Sequence, residues 1–312
     1  MPDVLFLTVN DWANTGFRFC ESLKTQGVDA MMLKKNAHKF GYPRQAALFE
    51  TIYDIMPYAD QAKVLHYTAS MFFDPGIDIR NKKIIFQHGG TTYREQHEQC
   101  NSFMNPISDF AIIQEPDLCG LGARNEVYIT YPVDTGYIQP VFKPHKPGKR
   151  IFAHHPSNSN TKGSDLVFKV AKTKMDQHEN MILFYNEGNV TWPENLGRVS
   201  LCDVYIETLQ PEIRGRKFGT WGNAACEAAA LGKIVITNDL YTGFFEREYG
   251  RPCEWIIAND PNELSLAIDQ VMDMSDAEFQ AKKEACRQQI EDCHSFEATG
   301  KRLMDRVYGY LL

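Results

Sequence analysis

The stretch Arg214-Gly-Arg-Lys-Phe-Gly-Thr-Trp-Gly-Asn-Ala-Ala-Cys-Glu-Ala-Ala-Ala-Leu-Gly-Lys-Ile-Val-Ile-Thr237 decides the fold. It opens as a glycine-bearing loop and continues from Asn223 as a run of small residues suited to a helix. It stops at Gly232 and resumes as the apolar run Ile234–Thr237. Loop, helix, glycine stop and short buried strand in that order form the repeating joint of an α/β sheet. Gly219 and Gly222 let backbone come close to a bound group, and open amides near Asn223 and Ala224 at the helix start favour an anion. Glu227 falls about one turn into the helix. A carboxylate there can accept two hydroxyl hydrogen bonds, as from a ribose. The spacing equally admits a plainer role, in which the glycines only shape the loop and Glu227 complements the helix dipole.

The same alternation extends in both directions. Val4–Val9 reads as a buried strand ended by Asn10-Asp11, followed by a helix from Thr15-Gly16 to about Gln26 that Gly27 stops, and a strand at Val28–Leu33. Pro43 is suited to a first helical turn, and the spacing predicts a helix from there to about Tyr58. Lys63–Tyr67, Lys83–Phe86, Phe110–Ile113 and Glu126–Tyr131 read as further strands. Pro140-Val-Phe-Lys-Pro-His-Lys-Pro-Gly148, with three prolines and a glycine, reads as a linker. The pattern then restarts. Strands are expected at Arg150–His154, Met181–Tyr185, Val204–Ile206, Ile234–Thr237 and Trp255–Ile257, with a helix opening near Gly163-Ser164-Asp165 and a mostly helical tail from about Asp260. The expectation is an α/β chain of two Rossmann-like domains, residues 1–145 and 146–294, facing across a cleft. The helical C-terminal tail, about 295–312, is expected to pack back on the first. Ligands of such sheets bind beyond the carboxyl ends of the strands.

The 312 residues suffice for two domains at roughly 150 residues each. With 43% apolar and 23% charged residues the chain is neither disordered nor a disulfide miniprotein. The net charge of −7 divides as −2 over residues 1–147 (14 basic, 16 acidic) and −5 over the rest, which excludes nucleic-acid binding by bulk charge. No apolar run approaches the ~18 residues of a spanning helix, and the opening Met1-Pro2-Asp3 lacks a basic n-region. Eight scattered cysteines, none in a C-x-x-C pair, read as reduced thiols, so a cytoplasmic location is expected. Cys286, Cys293 and His294 are expected as surface residues of a helix rather than a metal site.

The 214–237 stretch resembles the donor-binding segment of GT-B glycosyltransferases, in particular the large retaining, nucleotide-sugar-dependent group called group 1 or family four. The family phrase runs E-G-F-G-x-x-x-x-E-A-x-A-x-G-x-P-V. Here Trp221-Gly222 stands at F-G, and Glu227-Ala-Ala-Ala-Leu-Gly-Lys-Ile-Val stands at the second glutamate and the residues after it. The first glutamate position holds Gly219, nearer to a subset of the family that carries G-x-Y-G-x-x-x-x-E. Phe152-Ala-His-His-Pro-Ser-Asn-Ser-Asn-Thr-Lys-Gly-Ser-Asp165 resembles the strand, loop and K-G-x-D segment that opens the family's second domain. Lys162 matches the lysine that neutralises the donor pyrophosphate. The family's partner arginine is missing among Ser157, Asn158 and Asn160, and Arg214, Arg216 or Lys217 are its candidate substitutes. Tyr131-Pro-Val-Asp-Thr135 resembles the phrase that ends the first domain. Val64-Leu-His-Tyr67 and Ile84-Ile-Phe-Gln-His-Gly-Gly90 resemble its two strand-end histidine phrases, and Asn14-Thr-Gly16 its first glycine loop.

The resemblance implies a transferase in which a nucleotide-diphosphate sugar is the co-substrate and no other cofactor is needed. Glu227 would lie on the ribose and Lys162 on the pyrophosphate, with Trp221, Gly222 and Asn223 holding diphosphate and sugar. His88 would face the transferred sugar, with His66 as its alternative, and Gly16 would sit in the loop near phosphate and acceptor. Retention of anomeric configuration is implied by the family. No metal is expected, because the chain contains no Asp-x-Asp, and a spacing such as Asp74-Pro-Gly-Ile-Asp78 is too wide. Lys34-Lys-Asn-Ala-His-Lys-Phe-Gly-Tyr-Pro-Arg44, with four basic residues and no acid, is a candidate contact with a phosphate-rich surface, the alternative being a solvated loop. The expected acceptor is a glycan or lipid-linked glycan, with a modified DNA base or a protein hydroxyl as further candidates. Two rival functions keep the fold: a nucleotide-sugar epimerase or phosphorylase, and a nucleotide-sugar-binding module that has lost turnover.

Overall fold

The computed structural model describes residues 2–142, 149–185, 188, 190–213, 215–218, 222–239 and 241–312. The chain divides into two compact units. The first comprises Met1–Asp134 with His294–Leu312, and the second comprises Thr135–Cys293. Residues 143–148, most of the expected linker, lie outside the described residues.

The first unit is built on strands β1 (Val4–Thr8), β2 (Ala30–Lys34), β3 (Ala47–Leu48), β4 (Val64–Tyr67), β5 (Lys83–His88), β6 (Phe110–Ile113) and β7 (Glu126–Tyr128). They form one sheet in the order β3-β2-β1-β4-β5-β6-β7, parallel throughout. Every residue of β1 is buried, as a strand covered on both faces requires. Alternate side chains feed two cores. Leu5, Leu7, Tyr67 and Phe86 face one layer, while Val4, Phe6, Val64 and Ile85 face the other. Helices α1 (Thr15–Lys24), α2 (Met56–Gln61) and α3 (Gly90–Met104) connect the strands.

Pro43–Tyr58 is not the single helix predicted. Ala47 and Leu48 extend the sheet by pairing with Leu33 and Lys34. The Asp54 carboxylate then accepts the Thr51 amide at 2.8 Å to start a short 3-10 turn, and Pro57 opens α2. Two competing local signals, an edge-strand pairing and a capped turn, outweigh one proline.

The second unit carries β8 (Arg150–His154), β9 (Met181–Tyr185), β10 (Val204–Ile206), β11 (Glu212–Ile213), β12 (Arg216–Lys217), β13 (Ile234–Thr237) and β14 (Ile256–Ile257). Five of them make a parallel sheet ordered β14-β13-β10-β8-β9, and β11 with β12 make a small antiparallel hairpin. Its helices are α4 (Ser159–Lys162), α5 (Ser164–Gln177), α6 (Trp192–Ser200), α7 (Asn223–Ala230), α8 (Thr242–Tyr249), α9 (Pro261–Asp273) and α10 (Asp276–His294). Phe152, Val167, Val204, Ile206, Ile234, Ile236 and Ile268 form its core. Cys286, Cys293 and His294 are buried, not on the surface as expected. The face of α10 that carries Cys286 packs inward. Its neighbours Lys283 and Arg287 bond Asp203 and the carbonyls of Ile138 and Ala230.

After α10 the chain enters α11 (Phe296–Arg306), which belongs to the first unit and lies against α1. The crossing is close because Gly300 stands there. A β-carbon at that position would lie 2.7 Å from Thr25 Oγ1 and 3.0 Å from the Ser22 carbonyl carbon. Leu303, Val307 and Tyr308 complete one core of the first sheet.

Candidate functional site

In the second unit the sequence candidates meet at the carboxyl edge of the sheet. His154, last in β8, is fully buried and fixes three elements at once. Its Nδ1 donates to the Ile206 carbonyl at 2.7 Å, and its Nε2 lies 2.9 Å from Ser164 Oγ at the start of α5. Burial pushes its pKa down to about 4, so the ring is neutral and one nitrogen can accept. Between β8 and α5, Asn158 Oδ1 caps α4 by accepting the Thr161 amide at 3.1 Å. Gly163 then turns the chain at a φ of 64°, where a β-carbon would collide with the Leu209 carbonyl. The result is that Lys162 points along the edge. Its carbonyl accepts the Leu209 amide at 3.0 Å, and its ammonium pairs with Glu207 Oε1.

Glu207 follows β10, the middle strand, and is 3% exposed. Gly222 lies directly against this pair. A β-carbon there would overlap Glu207 Oε1 and come within 3.6 Å of Lys162 Nζ. Gly222 is also the N-cap of α7 and carries no capping side chain, so the helix start with Asn223 faces the lysine–glutamate pair. Further along α7, Glu227 is buried and its Oε1 accepts the Trp192 indole N–H at 2.8 Å. Lys162, Gly222, Asn223 and Glu227 therefore occupy one region. Trp221 lies outside the described residues, as do Gly219 and Arg214. Lys217 pairs with Asp239 and lies 4.2 Å over the Tyr241 ring, while Arg216 is exposed on β12.

In the first unit Gly16 and His88 stand at the carboxyl edge of its sheet. The Gly16 amide donates to Asp11 Oδ1 at 2.7 Å and the Phe17 amide to Oδ2 at 3.1 Å, so the start of α1 is held by the protein's own carboxylate. A β-carbon on Gly16 would lie 2.6 Å from Met32 Cε. Burial raises Asp11 to a pKa of about 6 against the two amides that lower it. His88 ends β5, with Nδ1 3.1 Å from Ser70 Oγ and the Tyr93 ring stacked at 4.1 Å. His66 is turned into the core, its Nδ1 2.5 Å from Tyr308 OH and its ring 4.3 Å from Phe6. Burial takes both histidines down to about 3, so both are neutral near pH 7.

The basic segment Lys34–Arg44 is thinner than its sequence suggests. Lys34 is fully buried, donating to Gln45 Oε1 at 2.6 Å, and Arg44 pairs with Glu21 and Asp134 at 2.7 Å each. Lys35 and Lys39 remain exposed.

Sequence reasoning misses Glu207, Asp11 and Trp192. Glu207 follows an ordinary apolar strand with no motif around it, and Trp192 is 35 residues from its partner. Asp11 alone carries a signal, an acid five residues ahead of the glycine it caps. No group of three potential metal ligands occurs among the described residues, and none of their helices is long and apolar enough to cross a membrane.

No protein-family model matches the chain, and no curated protein matches it in sequence. Solved structures do. An alpha-glucosyltransferase in complex with UDP and a 13-mer DNA containing an HMU base superimposes with a TM-score of 0.70 at 9% identity, covering 98% of this chain and 99% of that one. HepE of Anabaena in complex with UDP and glucose gives 0.68 at 11% identity, over 99% and 100%. Sucrose-phosphate synthase of Thermosynechococcus elongatus gives 0.64 at 14% identity, over 99% of each chain. At such identities the likeness establishes architecture: the chain has the GT-B fold of these nucleotide-sugar glycosyltransferases.

Proposed function

We propose that the protein moves a sugar from a nucleotide-diphosphate sugar to an acceptor hydroxyl, with retention of configuration and without a metal at the diphosphate. The observation that carries this reading is the meeting of Lys162 with the uncapped start of α7 at Gly222, on the carboxyl edge of a parallel sheet. In the reaction the bond from the anomeric carbon to the diphosphate oxygen breaks, and the acceptor oxygen takes its place. Negative charge builds on the departing diphosphate. An ammonium and a helix N-terminus fixed in advance stabilise it without reorganising. The absence of an Asp-x-Asp pair from the sequence supports a metal-free site.

Glu227 receives the ribose hydroxyls, and the Trp192 indole holds its carboxylate in place. Trp221 and Asn223 help hold diphosphate and sugar. On the first unit, His88 serves the transferred sugar as a neutral hydrogen-bonding ring, since its lowered pKa keeps it uncharged. Gly16 belongs to the acceptor-side loop as a close-packed glycine whose amide serves Asp11. The acceptor is a glycan or lipid-linked glycan. The alpha-glucosyltransferase solved with DNA gives a modified base second place. Contact with a phosphate-rich surface would rest on Lys35 and Lys39, and the protein would act in the cytoplasm.

The test is incubation of the purified protein with a panel of nucleotide sugars, recording hydrolysis and transfer. Lys162→Ala and Glu227→Ala each remove charged hydrogen bonds worth roughly 1.5–3 kcal/mol, so each should lower donor use at least tenfold. Full activity in both variants would overturn the donor assignment. Unchanged turnover in His88→Ala would remove His88 from the sugar site, and His66, turned into the core, would not replace it.

A further inference from the structure

Glu207 holds an oxygen that the fold leaves unused. Its side chain is buried, and its main-chain amide is fixed by the Ile236 carbonyl at 2.8 Å. Oε1 serves Lys162, whereas Oε2 is buried with no hydrogen-bond partner among the described residues. A carboxylate oxygen withdrawn from water without a donor is a costly arrangement in a core. Here it stands at the end of the central strand, beside Lys162 and the start of α7.

Building on the donor reading above, we propose that Glu207 Oε2 accepts a hydroxyl of the transferred sugar while Oε1 keeps Lys162 in place. The chemistry is complementary. A sugar offers hydroxyl donors that a diphosphate lacks, and an ionised carboxylate accepts but cannot donate. A lysine ammonium has three N–H donors, so Lys162 can hold Glu207 and a phosphate oxygen together. That shared cation offsets the repulsion between the carboxylate and the diphosphate. Gly222 is needed for the same reason, since any side chain there would fill the approach to Oε1. Glu207 thus reads the sugar, while Lys162 and the helix start read the diphosphate.

The test compares the affinities of UDP and UDP-glucose by titration calorimetry, or of GDP and GDP-mannose if the donor panel selects guanosine. In Glu207→Gln the sugar nucleotide should weaken about ten- to hundredfold relative to the free diphosphate. An equal change for both ligands would overturn the proposal and leave Glu207 as a support for Lys162 alone. A second measurement uses the unaltered protein and donors in which single sugar hydroxyls are replaced by fluorine, which cannot donate. One position should lose affinity by a similar factor, and that loss should vanish in Glu207→Gln. Tolerance of fluorine at every position would overturn the proposal even if the variant failed to fold. Failure of the underlying donor reading looks different, because the unaltered protein would then bind neither the diphosphate nor its sugar.

Discussion

Replacing Gly300 by alanine should destabilise the first unit, although alanine is the better helix former. In α11 the substitution alone favours the helix by about 0.8–1 kcal/mol. Against this, the new methyl would lie 2.7 Å from Thr25 Oγ1, 3.0 Å from the Ser22 carbonyl carbon and closer still to that carbonyl oxygen. Ordinary contact begins near 3.4 Å. Ser22 O is a backbone atom and cannot rotate away, and it already accepts the Thr25 hydroxyl at 2.7 Å. The two helices must therefore separate, which loosens Leu303 and Tyr308 in the core they share with Phe19 and Leu23. Overpacking costs about 1–3 kcal/mol, and a clash with backbone falls in the upper part of that range, about 2–3, leaving a net loss of about 1–2 kcal/mol. Gly197 supplies the control. It lies within α6 with no atom within 4 Å of a would-be β-carbon, so Gly197→Ala should gain about 0.5–1 kcal/mol. Urea unfolding monitored by tryptophan fluorescence reads both effects, with Trp12 in the first unit and Trp192 and Trp255 in the second. A Gly300→Ala chain as stable as the parent would refute the close crossing of α1 and α11.

Burial has further measurable effects. Among the histidines whose pKa is lowered, four shift furthest, to about 3 for His66 and His88 and about 4 for His154 and His294, chiefly through desolvation. Each binds fewer protons folded than unfolded between those values and about 6.5, so stability should fall as pH drops through that window. The slope reaches at most about 1.4 kcal/mol per pH unit per histidine. Denaturant midpoints measured between pH 7.5 and 4.5 check this, and a flat profile would contradict it. Arg94 bonds Asp117 at 2.5 Å and Glu115 at 3.2 Å, and Glu115 also accepts the Tyr131 hydroxyl and the Gly90 amide. Arg94→Met leaves two buried carboxylates without their cation and should cost about 3–5 kcal/mol in urea unfolding. A loss below 1 kcal/mol would mean that the pair is already hydrated. Asp11→Ala removes the cap from Gly16 and Phe17 and should cost about 1–2 kcal/mol near pH 5. The loss should shrink as pH rises from about 4 to 6, where the folded carboxyl still holds a proton that the unfolded one has released, and level off above that; a loss that grew with pH would reverse this assignment.

Strands are the most legible part of the sequence. Val4–Thr8 and Arg150–His154 are short apolar runs between polar breaks, and burial on both faces of a parallel sheet demands that pattern. Residues 43–58 mislead because an edge strand of two residues leaves almost no periodicity, and its pairing with Leu33 and Lys34 is a tertiary choice. Lys162, Gly222 and Glu227 can be found because a loop before a helix carries local glycines and a recognisable spacing. Glu207 cannot, since its meaning comes from Lys162, 45 residues away, and from a register that sets Ile206 level with Ile236. The basic run at Lys34–Arg44 looks stronger on paper because sequence does not show that Lys34 points inward or that Arg44 is already paired.

The return of α11 to the first unit also has a meaning in time. The His66 ring finds its hydroxyl partner on Tyr308, 242 residues later. A ribosome making this chain therefore releases the first sheet with one face covered only in part, by α1. It must then finish the whole second unit before the covering helix exists. At about 5–20 residues per second that interval is on the order of ten seconds or more. Through that interval Phe6, Phe19 and Ile85 lack part of their native cover, so the nascent chain is most open to chaperone capture and aggregation then.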